Sequence, residues 1–111
     1  MTILDTLRAA RAVIADSTCW TQGVMGCRPG PHCAWGAIVS VADIKGAEYR
    51  GALRSLGFFF FGELATFNDT HTHAEVLALF DKAIAAEEAK AAPADVPLYV
   101  PSAWLPVEVP A

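Results

Sequence analysis

The stretch Thr72–Lys90 reads THAEVLALFDKAIAAEEAK, and it decides the fold class. Its first four residues are a capping box. The Thr72 hydroxyl can accept from the Glu75 amide while the Glu75 carboxylate reaches back to the Thr72 amide. Val76, Leu77, Phe80, Ala83 and Ile84 then recur at helical spacing, with Asp81, Lys82, Glu88 and Lys90 outside the stripe. The spacing predicts an amphipathic helix over 73–89, which needs an apolar partner surface.

Working outward from this helix, the same logic finds others. Thr2-Ile3-Leu4-Asp5 has the form of an N-cap with an acid in the first turn. Ile3, Leu4, Leu7, Ala10 and Ile14 follow with helical period, while Arg8 and Arg11 face away. A helix is expected over 3–15, stopped by Asp16, Ser17 and Thr18. Further helices are expected over 33–44, 47–56 and 62–67, with a strand as the alternative over 33–44 because of its β-branched residues. Phe58 to Phe61 has no period to read and suits a buried helical turn or a short buried strand; core placement is the expectation for these phenylalanines. Residues 18–32 hold Gly23, Gly26, Pro29, Gly30 and Pro31, a density that no helix tolerates. This loop is long for a compact domain, which favours a functional role.

After residue 92 the character changes. Pro93, Pro97, Pro101, Pro106 and Pro110 recur every four or five residues, separated by apolar residues that include Tyr99, Trp104 and Leu105. So much apolar surface is unusual for a free tail and points to docking. The expected fold is therefore mostly α: a helical bundle of about four helices over 1–92, with an extended proline-rich arm over 93–111.

Composition narrows the function classes. The chain has 111 residues, enough for one domain, and 54% of them are apolar. Net charge is −4. Six basic and four acidic residues lie in 1–55, and two basic and eight acidic residues in 56–111. The basic half lacks the Lys/Arg clusters of a nucleic-acid surface, so that partner is disfavoured. The asymmetry suits pairing within the chain, head-to-tail association, or simply a solvated surface. No apolar run approaches the ~20 residues of a membrane span. Asp5, Arg8 and Arg11 interrupt any signal-like apolar stretch, which makes the cytoplasm the expected compartment. There Cys19, Cys27 and Cys33 are expected as thiols.

Four segments occur in one order: Trp20-Thr21-Gln22-Gly23, Cys33-Ala34-Trp35-Gly36-Ala37, Phe67-Asn68-Asp69, and Thr72 through Ile84. That order resembles a family of small bacterial and phage proteins known only as a domain of unknown function. The resemblance spans about Leu4 to Ala86 and leaves the arm outside. In the family, Trp often precedes the Asn-Asp pair and Arg often precedes the capping threonine. Here Phe67 and His71 stand in those places, so no role of that Trp or Arg carries over. The resemblance implies one compact domain and a bacterial or phage source; it implies no activity, cofactor or substrate.

The residues themselves suggest several kinds of chemistry. Cys33 opens an expected helix, whose N-terminus favours a thiolate; His71 or His73 could act as base, with Asp69 or Asn68 orienting it, in a cysteine-dependent hydrolase or transferase. The plainer reading makes Cys33 a small buried apolar residue and Asn68-Asp69 a turn before the next helix. His71 and His73 with Cys19, Cys27, His32 and Cys33 could form a zinc site, although no C-x-x-C pair is present. Gly23-Val24-Met25-Gly26 lacks the lysine and spacing of a phosphate loop. The preferred expectation is a non-catalytic accessory protein, of phage or mobile-element origin, that binds a protein partner or itself without a cofactor. Trp20, Gln22, Tyr99, Trp104 and Leu105 are its candidate contact residues.

Overall fold

A computed structural model describes residues 2–23 and 30–91. Among the described residues five helices follow one another: α1 Ile3–Val13, α2 Ala34–Val41, α3 Ala47–Ser55, α4 Phe61–Thr70 and α5 His73–Ala91. A short 3-10 turn, Ser17–Cys19, follows α1. Among the described residues there is no β-strand, so the strand alternative for α2 falls away. The mostly helical expectation holds, with a helix at each expected place. Cys27, the arm with Tyr99, Trp104 and Leu105, and the boundary at 92/93 lie outside the described residues.

α1 is the central helix, packing on α2, α3 and α5. It starts where the sequence says it should: Thr2 Oγ1 accepts from the Asp5 amide at 3.0 Å, and Asp5 Oδ2 accepts from the Thr2 amide at 3.1 Å. The same reciprocal pair opens α5, with Glu75 Oε1 accepting from the Thr72 amide at 2.8 Å and Thr72 Oγ1 from the Glu75 amide at 3.2 Å. The core between the helices contains Leu7, Ile14, Ile38, Leu64, Val76 and Phe80, all fully buried. Truncating a buried phenylalanine such as Phe80 costs about 3–5 kcal/mol. α1 and α3 approach so closely at Gly51 that a Cβ there would collide with the Ile3 side chain.

The charge asymmetry is partly answered within the chain. Arg8 pairs with Glu88, and Arg11 Nε donates to Asp81 Oδ1 at 2.6 Å, so α1 and α5 are laced together along their exposed edges. Such surface pairs contribute at most about 1 kcal/mol each. What they do is turn the basic helix toward the acidic one.

The phenylalanine run corrects the sequence reading. α3 ends at Gly57, whose φ of +99° is open to glycine, and the turn is closed by Phe58 N donating to Leu53 O and Gly57 N to Arg54 O, both at 2.9 Å. Phe58 then folds inward, its ring 6.0 Å from that of Phe67. The next three turn outward: Phe59 is 82% exposed, Phe60 57% and Phe61 43%. Glu63 fixes them there. Its Oε1 accepts from the amides of Phe59 (2.7 Å) and Phe60 (3.4 Å), capping the start of α4 with a first-turn acid. An all-apolar tetrapeptide carries no period, so its backbone path was set by this cap and not by hydrophobicity.

Candidate functional site

α4 runs three residues further than expected, to Thr70, and this places Asn68 inside a helix instead of in a turn. Its side chain is fully buried beneath the loop that joins α1 to α2. Asn68 Oδ1 accepts from Trp20 Nε1 at 2.7 Å and from the Ala34 amide at 3.0 Å. Both partners can only donate, which fixes the orientation of the amide. Asn68 Nδ2 donates to Thr21 O at 3.0 Å and to Asp69 Oδ1 at 3.4 Å. One buried amide therefore joins the start of the loop, the first residue of α2 and its own helix.

The neighbouring residues close the loop around this point. Thr21 N donates to His32 O at 3.0 Å and His32 N to Cys19 O at 2.9 Å, an isolated parallel bridge that pinches the two ends of the loop together. Gln22 Nε2 donates to Asn68 O and His71 O, at 2.9 and 2.8 Å, and so satisfies carbonyls at the C-terminal end of α4. The Gly23 amide donates to Asp69 Oδ1 at 2.8 Å, with Gly23 at a φ of +79°. Trp20 lies 5.2 Å from the His73 ring, and His73 Nε2 is 2.6 Å from Ile14 O.

Cys33 is the N-cap of α2. It is 1% exposed, and its Sγ accepts from the Gly36 amide at 3.3 Å. His71 stacks on Phe67, with ring centroids 3.7 Å apart, and its Nδ1 lies 2.8 Å from Phe67 O and 3.0 Å from Thr70 Oγ1. The hydrogen bonds of the described residues join Asp69 to Gly23 and Asn68, and join neither Cys33 nor Asp69 to His71. Among the described residues no three His, Cys, Asp or Glu side chains converge as a metal ion would need. The zinc reading keeps only combinations that involve Cys27.

Trp20 and Gln22, expected as contact residues, thus spend their side-chain N–H donors inside the chain. The exposed aromatic surface is elsewhere. Phe59, Phe60 and Phe61 project beside Trp35, whose ring lies 5.4 Å from that of Phe61 and whose Nε1 donates to Tyr49 Oη at 3.0 Å. Sequence reasoning missed both features. The available signal for Asn68 is its position four residues after Leu64, on the buried face of a helix that continues past residue 67.

Fold and site together define a small helical domain whose signature residues form an internal clamp, with an aromatic face on its surface. Residues 1–86 match the Family of unknown function (DUF6197), and the chain belongs to that family. No curated protein and no solved structure matches the chain. The W-x-Q-G, C-x-x-G-A and N-D segments that carry the resemblance meet in space at Asn68, which gives these signature residues a physical role in this chain.

Proposed function

We propose that this protein is a non-catalytic accessory protein of bacterial or phage origin that acts in the cytoplasm by binding another protein. The observation that carries the reading is the run of three exposed phenylalanines, Phe59 to Phe61. Large side chains held out by a helix cap are costly to leave in water, and clustered exposed aromatics mark interaction surfaces. The buried, capped state of Cys33 and the internal use of Asn68 and Asp69 support a structural role for the residues that a thiol enzyme would need. The net charge of −4 supports a protein partner over a nucleic acid. Among the described residues no helix is long and apolar enough to cross a membrane.

The test compares the full-length chain, Phe59→Ser/Phe60→Ser and Cys33→Ala as baits in a bacterial lysate, followed by direct titration of the purified captured protein. The reading expects binding that survives Cys33→Ala and weakens about 10-fold or more in the phenylalanine variant, the scale of losing an aromatic anchor. Equal binding by all three baits refutes it.

A further inference from the structure

Resting on the reading of the Phe59–Phe61 face as a docking surface, we propose that residues 92–111 of the same chain are its tethered occupant. The described chain ends beside the helix that precedes that face. Ser55 Oγ donates to Glu87 Oε2 at 2.9 Å, so the last turns of α5 lie against the end of α3. Between the two helices is a shallow hollow of about 210 Å³, walled by Leu56, Leu79, Ala83 and Ala86. Gly57 lies at its edge, directly before Phe58. A segment turning back from the end of α5 crosses this hollow before it meets the phenylalanines.

Length permits it. Twenty residues follow Ala91. At roughly 3.1 Å per residue in polyproline form they span about 60 Å, twice the ~28 Å of the nineteen-residue α5. The chemistry matches as well. Proline-rich segments dock on aromatic surfaces because their backbone is already extended and their rings pack flat on π faces. Residues 92–111 supply five prolines with Tyr99, Trp104 and Leu105 between them. Charge points the same way. Lys82 lines the hollow and has no acid within ion-pair distance among the described residues. The segment carries Asp95 and Glu108 and no Lys or Arg. A second copy is the weaker candidate, since Arg8 and Arg11 are already matched within the chain.

The experiment places a photoreactive benzoyl-phenylalanine at position 60 of the full-length chain and maps its cross-links, alongside amide exchange of the unmodified chain. Position 60 is exposed, so the fold tolerates the change. The proposal expects cross-links to residues within 93–111 of the same molecule, with a yield independent of protein concentration. It expects amides of 93–111 to exchange about 10-fold or more slower than random coil, and to reach random-coil rates in Phe59→Ser/Phe60→Ser while the helices stay protected. Cross-links between copies, rising with concentration, overturn it, as does random-coil exchange in the unmodified chain. Either failure leaves the protein-binding reading standing, because that reading is scored on partner titration. Retained partner binding by the phenylalanine variant sinks the partner reading, and the cross-links then decide on their own whether the face seats the arm.

Discussion

Replacing Asn68 with alanine tests the central claim about the clamp. The substitution leaves three groups without their partner: the Ala34 amide, Trp20 Nε1 and Thr21 O. The Ala34 amide is in a fully buried residue, and leaving it unpaired costs about 2 kcal/mol. Trp20 and Thr21 are half-buried and regain some water, so about 1 kcal/mol each is expected. The expected loss is about 4 kcal/mol, a large share of the 5–15 kcal/mol that holds a typical domain together. In a domain of this size that lowers Tm by on the order of 20 °C. Urea unfolding followed by tryptophan fluorescence reads it, with an unchanged m-value as the sign that only stability moved. Trp20→Phe removes one donor to the same oxygen while keeping the aromatic body, and should cost about 1 kcal/mol. The two changes share a partner, so the double variant should fall short of additivity by about 1 kcal/mol. A loss below about 1 kcal/mol for Asn68→Ala, or strict additivity with Trp20→Phe, refutes the reasoning.

The remaining predictions concern the caps and the thiol. Thr72→Ala should cost about 1 kcal/mol, the usual loss for an N-cap, and leave partner binding unchanged in titration. In a Cys19→Ser/Cys27→Ser background, Cys33 should resist alkylation in the native state and react only on unfolding, because it is buried; rapid native labelling would restore the case for a nucleophile. Acid should weaken the fold through its capping carboxylates. The backbone amide of Thr72 holds Glu75 below its ordinary value of 4.5, and that of Thr2 holds Asp5 below 3.8. A carboxylate depressed in the folded state contributes stability above its unfolded value and loses it as pH falls through the folded one. The unfolding midpoint should therefore be flat near neutrality and begin to drop below about pH 4.5, less steeply in Glu75→Gln, which removes the titrating carboxylate.

The first and last helices were legible because each announces itself locally. Thr2 with Asp5, and Thr72 with Glu75, are three residues apart and form their bonds without help from the rest of the chain. Gly57 ends α3 for an equally local reason, its positive φ. Asn68 was not legible as the centre of the clamp, because its partners lie 34 to 48 residues away and share no period with it. The bounds of α4 shifted for a related cause. Its start is set by Glu63 reaching backward, and the carbonyls at its end are met by Gln22 from a distant loop. Phe59 to Phe61 misled because hydrophobicity argues for burial on average, and a cap decided otherwise.

The pinched base of the α1–α2 loop has a practical consequence. Trp20 and His32 are joined by the bridge, Gly23 is fastened to Asp69, and Gln22 to the end of α4. The span between positions 23 and 30 is thus anchored at both feet, independently of what the intervening residues are. Lengthening a closed loop costs only about 0.6 kcal/mol per doubling. This makes 24–29 a natural graft site: a peptide epitope or a labelling tag inserted there would be held at both ends by bonds already in place.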